Sequence, residues 1–96
     1  MRHSDVLYFI RAGDFVKIGR TSDLDGRMKT LQVGCPHEIE EATGFSGCGS
    51  EERVVHTRLA AHKVRGEWFR WHDGIQAEMR RLSAKARQKQ SESRNA

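Results

Sequence analysis

Six side chains in this 96-residue chain are of types that serve phosphoryl chemistry: Tyr8, Lys17, Arg27, Glu52, His56 and Glu67. Hydrolysis of a phosphodiester needs an activated water, charge neutralisation on the phosphoryl oxygens and support for the leaving alkoxide. A divalent metal held by one carboxylate, with open water positions, supplies the last two. A guanidinium grips phosphate oxygens bidentately and stays charged at any working pH. A phenol orients a water, or deprotonates it if nearby cations lower its pKa from about 10. Each residue alone also has a plainer reading. Tyr8 fits a half-buried strand position, Arg27 a pair with Asp23 at i−4, and Glu52 a first-turn carboxylate answering the helix dipole. His56, four residues after Glu52 on the same helix face, fits between Val55 and Leu59. Glu67 suits a carboxylate that orients His56 or a lysine, or an anchor for Trp68 and Phe69.

The elements that must position these groups are legible in part. Residues 6–10 are β-branched and aromatic and read as a strand, Ala12-Gly13-Asp14 as a turn, and residues 15–18 as the returning strand of a hairpin. Gly19 ends that hairpin where a backbone bends or approaches something closely. Ser22 or Asp23 caps a helix running to about Val33, with Leu24, Met28 and Leu31 as its apolar stripe and Gly34 closing it. Residues 37–45 alternate as a third strand, and 44–50 form a loop. Ser50 caps a second helix through His62 with Val55, Leu59 and His62 on one face, and residues 67–71 form a short strand or docked segment. Asp73-x-x-Gln76 resembles a capping box, and Ile75, Met79, Leu82 and Ala86 give the third helix its buried stripe. The expected fold is α+β: a small antiparallel three-stranded sheet flanked by helices, in the order β-β-α-β-α-(β)-α.

Composition bounds the rest. The length allows one domain, assigned to residues 1–82, with 83–96 as a basic tail lacking large apolar residues and expected to be disordered. No run of eighteen apolar residues exists, which excludes a membrane-spanning helix. The opening is too short and interrupted for a secretory signal, so a cytoplasmic protein is expected. Up to Ala77 there are 11 Lys+Arg and 11 Asp+Glu, so the whole net charge of +4 lies beyond that point. A basic end suits a polyanion such as nucleic acid, or simply keeps the chain in solution. Cys35, His37, Cys48 and His56 are zinc-type ligands, but their spacings match no familiar finger.

Together the pieces resemble a known family. Val6-Leu7-Tyr8 on one strand, Lys17-Ile18-Gly19 on the next and Arg27 eight residues after Gly19 resemble the GIY-YIG nuclease motif. The run V-K-I-G-R-T-S…R…L-Q, then E-x-x-x-H, then G-E-W-F resembles its short subgroup, common in phage genomes, over residues 6–69. The resemblance implies a GIY-YIG-like fold and an endonuclease using a single Mg2+ or Mn2+. It implies that Glu52 holds the metal, Arg27 clamps the phosphate, and Tyr8 positions the water or acts as base. Lys17 stands where the family's second tyrosine usually lies, and Lys17 and His56 become supporting catalytic candidates. Nucleic acid is the expected partner, with DNA favoured by family habit, contacted by Arg20, Arg80, Arg81, Lys85 and Arg87. A separate partner protein for targeting also fits so small a domain. The alternative is a nucleic-acid-binding module that keeps the shape without cutting.

Overall fold

The computed structural model describes residues 5–35 and 38–95, with side chains as far as Gln88. Five strands, β1 (Val6–Ala12), β2 (Phe15–Thr21), β3 (Ile39–Ser46), β4 (Lys63–Arg65) and β5 (Trp68–Arg70), form one antiparallel sheet in the order β3-β1-β2-β5-β4. Three helices, α1 (Leu24–Gly34), α2 (Glu52–Arg58) and α3 (Asp73–Asn95), complete the α+β fold.

The hairpin forms where the residues foretold it, but Gly19 lies inside β2 opposite Tyr8 rather than ending the strand. β1 sits between two neighbours, so Leu7, Tyr8, Phe9 and Ile10 are all buried, on both faces. One face carries Leu7, Phe9, Val16, Ile18, Phe45 and Phe69, against which α2 packs Val55 and Leu59 and α3 packs Ile75 and Leu82. Met79 and Ala86 lie partly buried against that core, so the stripe read for α3 is the one it uses. The opposite face, with Tyr8, Lys17 and Gly19, lies under α1, where Leu24 reaches Gly44 beside Val6. Asp23 caps α1 by accepting from the Gly26 N–H. None of its residues is fully buried, and Leu24, Met28 and Leu31 are only half covered.

Four expectations are corrected. The sheet has five strands, because residues 63–65 turn back through Gly66 (φ +55°) to pair with β5. Three residues carry no periodicity to read, and pairing with β5 supplies what their own sequence lacks. Ser50 does not cap α2: a 3-10 turn, Gly49–Glu51, precedes the helix, which stops at Arg58 and continues only as a second 3-10 turn, Ala60–His62. His62 is exposed and its ring lies 3.6 Å from that of His72 rather than on the Val55–Leu59 face. Finally, α3 runs on through residues 83–95, where a disordered tail was expected. Ala84, Lys85, Ala86, Arg87 and Gln88 are strong helix formers, and the stripe extends one turn to Ala86, which docks it. The start of α3 is capped by His72, whose Nδ1 accepts from the Gly74 N–H.

Candidate functional site

Tyr8 and Gly19 are cross-strand partners on the face away from the main core, and the phenol lies over the glycine. A Cβ at position 19 would stand 2.5 Å from the Tyr8 hydroxyl and 2.8 Å from Glu67 Oε1, so only glycine leaves both groups their place. Tyr8 is 1% exposed, and its hydroxyl has no hydrogen-bond partner among the described residues. The one side-chain polar atom there both sealed from solvent and unpartnered is His72 Nε2, so the Tyr8 hydroxyl reaches solvent.

The charges around this phenol identify its neighbours. Burial raises the Tyr8 pKa above 10.0, Glu67 raises it further, Arg27 pulls it down, and Glu52 adds a smaller upward push. The strand tyrosine, the α1 arginine and the α2 glutamate therefore share one electrostatic neighbourhood, although Arg27 and Glu52 belong to different helices. The direction of the shift runs against the idea that cations lower the phenol's pKa. Tyr8 is a neutral hydroxyl at working pH, a hydrogen-bonding group rather than a resident base.

Glu67 comes from the turn between β4 and β5. Its carbonyl accepts from the Ile18 N–H at 3.0 Å, and its carboxylate pairs with Lys17 Nζ at 3.4 Å. Of the two partners offered by the sequence, a lysine or His56, it takes the lysine. Lys17 is largely covered, with its ammonium 5.6 Å from the centre of the Trp68 ring. His56 Nε2 lies 2.8 Å from the Ile18 carbonyl oxygen, so that nitrogen donates and Nδ1 is left over. Its ring also meets Phe69 edge-on at 4.9 Å. His56 thus both packs and lines a groove of about 420 Å³ formed with Glu52, Arg53, Thr57, Ala60 and Lys63.

Neither Arg27 nor Glu52 has a side-chain hydrogen bond or ion pair among the described residues, and the expected Arg27–Asp23 pair is not made. Asp23 instead accepts the Arg27 backbone N–H and the Gly26 N–H. Glu52, half buried and unpaired, is a hard oxygen donor of the kind that takes Mg2+ or Mn2+ with water completing the shell, so the donor chemistry fits such an ion. Among the described residues no group of three or more His, Cys, Asp or Glu is gathered as a metal set, so any ion at Glu52 would rest on one carboxylate. The zinc set is not assembled there either. Cys48 is buried in the core and His56 Nε2 is spent on a carbonyl, while His37 lies outside the described residues.

The basic residues divide. Arg20 pairs with Asp5, and the Asp5 carbonyl accepts from Gly49, which ties the start of β1 to the turn leading into α2. Arg81 and Lys85 hold Glu51 at 3.0 and 2.7 Å, and Arg81 and Arg58 both grip buried Glu78. Arg81 and Lys85 therefore clamp α3 to the residue before Glu52, a positioning task that periodicity does not reveal. Arg80 and Arg87 are exposed on α3. Two groove cations, Arg53 and Lys63, were missed by the sequence reading. Lys63 gave no signal, because its place depends on the β4–β5 pairing. Arg53 had one, sharing a helix face with His56 and Thr57 beside Glu52.

The profile of the T5orf172 domain family matches residues 5–87, a span that includes every residue of the site. No curated protein and no solved structure matches the chain.

Proposed function

This chain belongs to the T5orf172 domain family, and from that premise we propose that it is a metal-dependent endonuclease of GIY-YIG type, cutting phosphodiester bonds in nucleic acid, DNA by preference, in a phage-type setting. One observation supports the reading above the others: Arg27, Glu52 and Glu67 all act electrostatically on a single buried phenol whose hydroxyl reaches solvent.

Glu52 would hold Mg2+ or Mn2+, which when bound supplies charge for the phosphoryl oxygens and the leaving alkoxide. The unpaired Arg27 guanidinium grips the non-bridging oxygens. The neutral Tyr8 hydroxyl donates to the attacking water or the phosphate and fixes the line of attack. His56 Nδ1, the ring nitrogen not committed to Ile18, takes the water's proton as the phosphorus–oxygen bond to the leaving group breaks. Lys17, held by Glu67, faces the same surface as Tyr8 and adds positive charge near the phosphate.

The test uses supercoiled plasmid and single-stranded oligonucleotide with Mg2+, Mn2+ or EDTA. Metal-dependent cuts are expected, with Glu52→Ala and Arg27→Ala each lowering the rate at least about 100-fold, the scale of losing a positioned electrostatic group. Binding without cuts by the wild type would make the chain a nucleic-acid-binding module. Cutting by Glu52→Ala at the wild-type rate would remove the proposed metal site.

A further inference from the structure

We propose that the groove between α2 and β4 is a track for the nucleic-acid backbone, in which Arg53 and Lys63 hold a phosphate flanking the one that is cut. Which phosphate is cut rests on the nuclease reading; the cation pair does not.

Helix spacing builds one wall. Glu52 and His56 stand at i and i+4, as do Arg53 and Thr57, so these four share the outer face of α2 while Val55 and Leu59 point into the core. Ala60 keeps the floor low, and Lys63 closes the far side as the first residue of β4. The groove is continuous with the site because Glu52 and His56 belong to both. From Glu52 to Thr57 the helix rises about 7.5 Å, some two base-pair steps of one DNA strand at about 3.4 Å each. That leaves room for one neighbouring phosphate.

The electrostatics select the occupant. Arg53 and Lys63 are exposed, and neither has an ion-pair partner among the described residues. Several other cations are engaged: Lys17, Arg20, Arg58, Arg81 and Lys85 pair with carboxylates, and Arg11 lies over Trp71. Glu52 is the one carboxylate lining the groove, and Thr57 adds a neutral hydroxyl donor. Two uncommitted cations with a hydroxyl, and almost no apolar wall, suit a phosphodiester rather than a peptide or an apolar ligand.

Fluorescence anisotropy of a labelled DNA duplex in EDTA, titrated across salt concentrations, reads these contacts without chemistry. Arg53→Gln/Lys63→Gln should weaken binding several-fold and make the slope of log K against log salt shallower by about 1.8, at about 0.9 per lost phosphate contact. Arg53→Lys/Lys63→Arg should keep the wild-type slope, which separates lost charge from a disturbed fold. With metal present, the Gln pair should raise KM and leave kcat near its wild-type value. Unchanged affinity and slope in the Gln pair overturn the proposal, even if the wild type cuts. A slope loss without any cutting by the wild type supports the track and removes the nuclease reading instead. Failure of the wild type to bind duplex overturns the track.

Discussion

At the scale of single residues, the phenol of Tyr8 carries the most information, because it is the chain's one tyrosine. Burial and the nearby Glu67 carboxylate both disfavour its phenolate, while Arg27 favours it less strongly. An unfolded chain ionises this group near 10. With the folded value raised, the fold keeps its full stability below the unfolded pKa and loses some as pH climbs from there through the folded value. An ultraviolet absorbance titration therefore reports Tyr8 alone, and its midpoint is expected above 10.0. Glu67→Gln should lower that midpoint and Arg27→Ala should raise it. A midpoint that neither variant moves would separate these three groups and dissolve the proposed site. The same titration distinguishes a neutral hydroxyl that orients from a phenolate that abstracts a proton.

At the scale of elements, α2 is too short to place Glu52 by itself: seven residues with no side-chain cap. Its start is held from outside. The Lys85 hydrogen bond, then that of Arg81, keeps the Glu51 carboxyl below its ordinary 4.5. A depressed carboxyl contributes stability that is present above its unfolded pKa and is lost as pH falls through the folded one. Glu51→Gln should cost about 1 kcal/mol near neutral pH, since Lys85 and Arg81 remain partly exposed and solvent screens them. Thermal melts of both proteins should converge at acid pH, where the wild-type carboxyl is protonated too. A constant gap across that range would mean that the clamp is not electrostatic. Because Glu51 adjoins Glu52, the same substitution should also slow cleavage.

At the scale of the whole molecule, α3 is the brace. Its 23 residues span about 34 Å, and they carry Ile75 and Leu82 into the core and Lys85 to Glu51. No helix among the described residues is long and apolar enough to cross a membrane. The basic end is thus partly structural, and only part of its charge is left over for a polyanion. Ending the chain at Leu82 removes Lys85, Ala86 and Arg87 together. About 1 kcal/mol lost in this way should lower the melting temperature by roughly 4–8 °C. Duplex binding should weaken as well, with a shallower salt dependence. A truncated chain that melts with the full one would show that the second half of α3 adds nothing to the fold.

What the residues settle alone is local. The hairpin, the first and third helices and the family resemblance follow from periodicity, turn chemistry and motif spacing, all of which act within a few residues of chain. Tyr8, Arg27 and Glu52 were nameable for the same reason. Pairing decided the remainder. β4 exists because β5 offers it partners, and through it Lys63 joins the groove. Glu67 turns to Lys17 rather than His56 because the β4–β5 turn hangs over Gly19. Arg81 and Lys85 leave the polyanion for Glu51 because α3 packs across the entrance to α2. The phenol's pKa rises because burial and a carboxylate distant in sequence outweigh the arginine. Such outcomes depend on distances across the fold, which a linear pattern does not contain.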